Sequence, residues 1–346
     1  RALSRDWSNA EMAALGKRFL AGALTNGVDG ATAAEILRQL TAFSGYGFCK
    51  SHAAAFALVA YQTLYLKAYY PAAFTCALLN HQPMGFYSPD VLIGDARRHG
   101  VPVLYPDVNR SQEACTLERD GSSSAIRLGL RYIHGLGEAW QTRVARRRGN
   151  RSFRDLPDFC RRTCLPRPVV ENLIRAGALE GLGEARRTLL WELGGLIYSE
   201  EGLDIEVPVE AVALPALSAA ERMSWEYELL GLAPGDHVMS LYRKKLEAHG
   251  VLRGQALAGL ADGAKVRVAG RVVVRQRPSS AKGFLFITLE DETGLVNLVV
   301  RPQVYEGYRD ALRSGNSLLV EGQLQREGEA FSVLVHRAVK LGWPTV

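Results

Sequence analysis

The strongest constraint on the fold is a change of period along the chain. From Lys265 the apolar residues fall at every second position, with Val266, Val268, Gly270, Val272 and Val274 on one side and Lys265, Arg267, Arg271 and Arg275 on the other. A strand half-buried on one face separates residues in this way. Residues 284–300 predict two more strands around a turn at Asp291, Glu292, Thr293 and Gly294, and the acidic run at Glu290, Asp291 and Glu292 reads as a solvated loop. A helix is expected over 304–312, and 317–339 closes with a hairpin over 326–329. Five strands with a helix between the third and fourth predict an OB-fold, a small barrel that commonly holds single-stranded nucleic acid.

Upstream the pattern is helical. Residues 1–95 read as helices over 11–27, 31–43, 52–70 and 89–100, divided by glycine-bearing turns at Gly27 and at Gly45 and Gly47. Residues 101–130 change to short extended pieces that predict a small hairpin. A connecting region follows over 201–262, with a helix over 221–232. It is expected to pack rather than flex, because it is not rich in Gly and Ser. The expected class is multidomain α+β: a helical part to 95, a second domain over 96–200, the connection over 201–262 and the barrel over 263–346.

A chain of 346 residues can hold two or three such cores. It begins at Arg1 with no signal segment and reads as a piece of a longer protein. The longest apolar run, 53–66, is shorter than a membrane span and contains Gln62, so no membrane is expected as a partner. Five cysteines form no disulfide framework and fit a reducing cytoplasm. Cys160 and Cys164, a pair without a second pair, read as small buried hydrophobes rather than zinc ligands.

Net charge is +6, and its location matters more than its size. Residues 143–167 hold nine of the 42 bases and two of the 36 acids, a local +7 that leaves the rest of the chain at −1. Concentrated positive charge is what contact with phosphates needs, whereas a merely solvated face interleaves both signs. Just before this segment, Gly135 and Gly137 stand between two helical stretches, which looks like a helix-hairpin-helix. Tight glycine turns bring backbone N–H groups close to a phosphate, and the following helix adds its positive end. Trp140 and Gln141 stand where that motif usually places a small residue. A second, degenerate copy has Gly177 at its turn. The DNA-contact candidates here are therefore Gly135, Gly137, Arg143, Arg146, Arg147, Arg148, Arg151 and Gly177. The barrel adds Arg271, Arg275 and Lys282, with Phe284 as a stacking platform beside Phe286 and Phe331. Whether Phe284 or Leu285 faces inward is open at this point; each Phe taken singly reads as core before platform, and the basic face at Arg271 is the firmer expectation.

The other informative stretch is 43–71, FSGYGFCKSHAAAFALVAYQTLYLKAYYP, a glycine-punctuated turn leading through Lys50, Ser51 and His52 into one helix ended by Pro71. Ser51 reads as its N-cap, and spacing by three and four at Phe56, Val59, Ala60, Thr63, Leu64 and Lys67 predicts one packed face. Lys50 and His52 stand where the helix dipole favours an anion. An ordinary buried helix with a capped start would carry the same spacing.

This stretch closely resembles the fingers region of bacterial C-family DNA polymerases, the polymerase III alpha-subunit group. Residues 78–111, with Gln82, Pro83, Met84, Gly85, Phe86, Tyr87, Ser88 and Pro89, look like the error-prone branch. Cys49 and Lys50 depart from that branch toward replicative relatives. The resemblance implies the C-terminal part of a DNA-directed DNA polymerase: distal fingers, tandem helix-hairpin-helix and OB-fold. It implies primer–template DNA, single-stranded template, a deoxynucleoside triphosphate and other translesion or replisome proteins as partners. Lys50, Ser51, His52 and Phe56 then become candidate nucleotide contacts, with Phe56 as a wall against the sugar or base. Polymerases hold two Mg²⁺ ions in clustered carboxylates, and the family's paired palm aspartates have no counterpart in this sequence. The metal site is therefore expected elsewhere in the intact enzyme, with no catalytic or metal-binding residue in this piece. The alternative is a non-enzymatic DNA-binding module with the same two domain types.

Overall fold

The computed structural model describes residues 9–44, 50–85, 87–121, 123–198 and 212–342. It divides into two compact units, Arg1–Tyr69 and Tyr70–Val346.

The first unit contains α1 (Asn9–Thr25), α2 (Gly30–Ser44) and α3 (Lys50–Tyr69). Helices α1 and α2 pack together, with Ala33 fully buried and Leu37 against Gly16. Helix α3 does not follow the expectation of one packed face: none of its residues is buried, and Phe56, Leu58, Val59, Tyr61, Leu64 and Tyr69 are all more than half exposed. Ala, Val, Leu, Phe and Tyr surround the helix instead of lining one stripe, so the sequence sets no single face apart for packing, and a helix apolar all round is one that other protein normally covers. Lys50 already lies within α3, so Ser51 belongs to its first turn rather than to the N-cap position. Gly45, Gly47 and Cys49 lie outside the described residues.

In the second unit, α4 (Pro71–Asn80) starts directly after Tyr70. Pro71 both ends α3 and occupies the first turn of α4, where its missing N–H costs nothing. There follow α5 (Pro89–Arg98), β1 (Val103–Leu104), β2 (Thr116–Asp120), β3 (Ser123–Arg127), α6 (Glu138–Arg148), α7 (Leu156–Thr163), α8 (Arg167–Arg175) and α9 (Arg186–Gly195). Strands β2 and β3 form the expected hairpin, and β1 adds to β3 in parallel. Leu79, Ile93, Ile126, Phe159 and Leu173 share one core across these elements. The sequence division near 95 cuts through that core, and the compact units part after Tyr69 instead.

The connecting region is packed where it is described. Helix α10 (Ala219–Leu230) begins with a reciprocal Ser218–Glu221 capping box. Its Leu229 and Leu230 join the helical core, while Met223 packs with Val238 and Met239 just before α11 (Ser240–Ala248), with Leu246 within it and with Ala269 of the barrel.

The barrel is closed, in the order β4-β5-β6-β8-β7, from β4 (Lys265–Gln276), β5 (Leu285–Glu290), β6 (Leu295–Val300), β7 (Ser317–Glu327) and β8 (Ala330–Lys340). Helices α12 (Pro302–Gly307) and α13 (Arg309–Ser314) lie between the third and fourth strands, as an OB-fold requires. The alternation along β4 breaks at two places. Ala269 is buried against the connecting helices, and a register shift between Val272 and Val274 turns the strand end over.

Candidate nucleic-acid interface

A short 3-10 turn, Leu130–Tyr132, stands where the first helix of the hairpin was expected, and the chain then passes through Gly135 and Gly137 into α6. The two glycines do different work. Gly135 has φ +81°, and a Cβ there would lie 2.7 Å from Asn172 Nδ2. Gly137 has ordinary angles, φ −63° and ψ 162°, and open space where a Cβ would go. It is the N-cap of α6, and its carbonyl accepts the Trp140 N–H at 2.9 Å, which leaves the N–H groups of Glu138 and Ala139 without intrahelical acceptors next to a low, side-chain-free surface. Leu136 is buried beneath the turn, and the buried Gln141 amide donates to the Leu136 carbonyl at 2.7 Å. Gln141 thus braces the loop from behind. Trp140 packs against the core and carries the Arg143 guanidinium 5.1 Å from its ring centre.

The second hairpin is built differently. Gly177 has φ +83°, and a Cβ there would fall 2.5 Å from Arg186 Nη2. Its N–H donates to Ile174 O and that of Ala178 to Leu173 O, both at 2.9 Å. Arg186 is fully buried, paired with Glu180 at 2.9 Å and Glu226 at 3.2 Å. The turn therefore accommodates the protein's own guanidinium, and its N–H groups are already used. Gly177 makes room for Arg186 rather than for a phosphate.

The arginine cluster also separates. Arg146 and Arg147 are exposed on the last turn of α6. Arg148 turns inward and donates to the carbonyls of Val108 at 3.1 Å and Ser111 at 2.8 Å, which removes it from the DNA-contact candidates. Arg151 is exposed, 4.0 Å from Asp158. Arg143 donates weakly to Thr163 O at 3.5 Å. Arg162 closes the end of α6, donating to Arg147 O at 2.5 Å and Arg151 O at 2.7 Å. Asp158 orients Arg162 at 3.1 Å. Desolvation opposes ionisation there, yet the Arg154 N–H and the Arg162 guanidinium hold the carboxyl below its ordinary range. Part of the cationic cluster is thus carbonyl-capping machinery, and the part facing solvent centres on Arg146, Arg147 and Arg151.

On the barrel, Leu285 faces inward, Phe284 is half-buried at the mouth of β5, and Phe286 is exposed. Pairing continues the outward face from Phe286 through Thr288 to β6, where Thr288 bonds Asn297 at 3.1 Å and Leu295 is exposed. This is the second- and third-strand face on which OB-folds bind oligonucleotides. The aromatic on it is Phe286, while Phe331 packs partly against the core. Two expected basic contacts point elsewhere. Arg271 is ion-paired with Asp90 and stacks 4.5 Å over Tyr227, and Arg275 donates to the carbonyls of Leu312 and Gly315 at the end of α13. After the shift in β4, Arg275 pairs with inward-facing Ile287, which takes it off the outer face. Lys282 is exposed in the loop before β5, at φ +47°. The acidic turn is not solvated either. Glu290 and Asp291 are buried, the first bonded to Arg98 at 2.7 Å and the second to Arg243 at 3.3 Å and the Gly254 N–H at 2.7 Å.

A family model described as a helix-hairpin-helix motif matches residues 100–189, and one described as an OB-fold nucleic acid binding domain matches 266–341. A protein named error-prone DNA polymerase from Anaeromyxobacter sp. (strain K) is 40% identical over 353 residues, covering 99% of this chain and 31% of its own. Another of that name, from Azoarcus sp. (strain BH72), is 44% identical over 327 residues, covering 92% of this chain and 31% of its own. The chain is homologous to part of the error-prone DNA polymerases. It spans about a third of the length of the curated relatives it matches. Among solved structures, asparaginyl-tRNA synthetase from Pyrococcus horikoshii matches 26% of this chain and 22% of its own at 29% identity, with a TM-score of 0.23, an overlap too slight to bear on fold or function.

In the polymerase-like first unit, Lys50, Ser51, His52 and Phe56 all lie exposed on the first two turns of α3, and the His52 ring meets Phe56 edge-on at 4.5 Å. Among the described residues no group of three or more His, Cys, Asp or Glu side chains could hold a metal ion. No helix among them is long and apolar enough to cross a membrane.

Proposed function

We propose that this chain is the DNA-gripping part of a DNA-directed DNA polymerase that carries out error-prone, translesion synthesis in the bacterial cytoplasm. The observation that carries this reading is the first hairpin: a turn fixed by Gly135 opens onto the N-terminus of α6, whose last turn, about 12 Å further along the helix, exposes Arg146 and Arg147, in a chain similar along 99% of its length to a named error-prone polymerase. Backbone N–H groups and arginines there hold duplex phosphates without reading sequence. The outer face around Phe286, with Lys282 in its adjoining loop, holds single-stranded template by stacking and charge. Lys50, Ser51, His52 and Phe56 meet the incoming deoxynucleoside triphosphate, and other translesion or replisome proteins engage the intact enzyme. In that enzyme Mg²⁺ would stabilise phosphoryl transfer from carboxylates elsewhere, so the chain by itself extends no primer.

Titrating labelled blunt duplex at several salt concentrations tests the reading. Affinity should fall linearly on a log–log plot, irrespective of base sequence. Salt-independent binding, or primer extension by the purified chain with nucleotides and Mg²⁺, would overturn it in the corresponding part.

A further inference from the structure

Four consecutive residues near the end of α10 between them reach both hairpins, α5 and the barrel of the second unit. The Glu226 carboxylate accepts from Arg186 at 3.2 Å and from the Tyr105 hydroxyl at 2.9 Å, which ties it to the second hairpin. The Tyr227 hydroxyl donates to Asp90 of α5 at 3.2 Å, and its ring lies under Arg271 of the barrel at 4.5 Å. Arg271 is itself paired with the same Asp90. Glu228 accepts from the His134 ring through its carbonyl at 3.0 Å and pairs with Arg175 at 2.5 Å. The Leu229 carbonyl accepts the His134 N–H at 2.7 Å, one residue before Gly135. Glu226 and Leu229 are buried, Tyr227 is partly buried and Glu228 is exposed, so the turn is held along its inner side and through its last two carbonyls.

We propose that Tyr227 is a positioning residue, through which α10 fixes the first hairpin and the outer face of the barrel relative to each other so that both engage one DNA molecule at once. The proposal rests on the reading of those two surfaces as DNA-binding. The hairpin turn hangs on Leu229 and Glu228, and the barrel is clamped to the adjacent Tyr227, so there is no loose linker between the two attachments. A rigid span makes the second contact intramolecular, and its advantage exists only for a ligand whose geometry fits both sites. The chemistry of the two surfaces selects that ligand: a duplex continued by an unpaired strand.

The test measures dissociation constants of the full chain for a blunt duplex, a single strand, and the same duplex carrying that strand as a tail. The tailed duplex should bind on the order of a hundred-fold more tightly than either component. Tyr227→Ala should lose this gain while the two component affinities stay near wild type. Tyr227→Phe, which keeps the ring under Arg271, should retain most of it. Should Tyr227→Ala fail to fold, the neutral pair Asp90→Asn with Arg271→Met removes the clamp from the barrel side without leaving a buried charge alone, and should lose the gain in the same way. Retention of the gain in Tyr227→Ala or in the folded neutral pair overturns the proposal. Absence of a gain in the wild type, with both components still binding, overturns it and leaves the DNA-binding reading standing. Failure of duplex and single strand alike to bind overturns both.

Discussion

Asn172 of the second hairpin lies beneath Gly135 of the first: its amide nitrogen sits 2.7 Å from where a Gly135 Cβ would be and donates to the His134 carbonyl at 3.4 Å. The two hairpins are thereby unequal. One presents its turn outward, and the other supplies the prop behind it.

That relationship separates the two glycines of the first turn. Gly135→Ala must hold φ +81° and displace Asn172, and should cost about 1–3 kcal/mol of stability together with DNA affinity. Gly137→Ala meets neither obstacle and should leave the thermal midpoint nearly unchanged. Its effect on duplex affinity then reports how closely a phosphate approaches the α6 N-terminus. Paired melting and binding curves check both, and equal stability losses would show that the turn is not held as described.

Arg146 and Arg147 differ from Arg148 in the same way. Replacing the first two together by Ala should flatten the log–log salt dependence of duplex binding by about two units, at roughly 0.9 per phosphate contact. Arg148→Ala should instead lower stability by about 1–3 kcal/mol, because it leaves the Val108 and Ser111 carbonyls without their donor. A slope unchanged in the double variant would make those two arginines a solvated surface.

On the barrel, Phe286→Ala should weaken single-strand binding by about 1–3 kcal/mol with little effect on folding. Arg275→Ala should do the reverse, since its guanidinium closes the end of α13 rather than facing the strand. Fluorescence titration with an oligonucleotide and a melting curve distinguish the two.

The thiols give a chemical check on the core. Burial pushes Cys160 up to about 12 and Cys115 up to about 11, so both stay protonated at pH 8, whereas Cys164 is half-exposed at the end of α7. Iodoacetamide on the native protein should label Cys164 well before the other two, as read by peptide mass spectrometry. Prompt labelling of Cys160 would mean that the helical core opens readily.

Much of this was legible in the sequence where the signal is local. The start of the β4 alternation, over Lys265 to Val268, the Gly135 turn and the helical stretch between the third and fourth strands are patterns within a few residues, and they appear in the fold. The roles of Arg148, Arg271 and Arg275 were not legible, because a guanidinium's partner is a carbonyl or carboxylate dozens of positions away, and 181 positions away for Arg271 and Asp90. A charge run shows how many cations a segment has and says nothing about how many are turned inward. Helix α4 was hidden for another reason: Pro71 was read as a stop, and proline is equally at home in the first turn of a helix. The barrel aromatic is a question of parity, settled only once Leu285 is seen to face in and Phe286 out.

Helix α3 shows Phe56, Leu58, Val59, Tyr61, Leu64 and Tyr69 to water around its whole circumference. In a test tube such a rod is an adhesive. Copies of the chain will shed that exposed hydrocarbon by clinging to one another, to plastic or to detergent, so protein concentration becomes a hidden variable in every titration. Light scattering across a dilution series belongs beside the first binding curve, and a single charged substitution such as Leu64→Lys should quiet the scattering while leaving the hairpin and the barrel as they are.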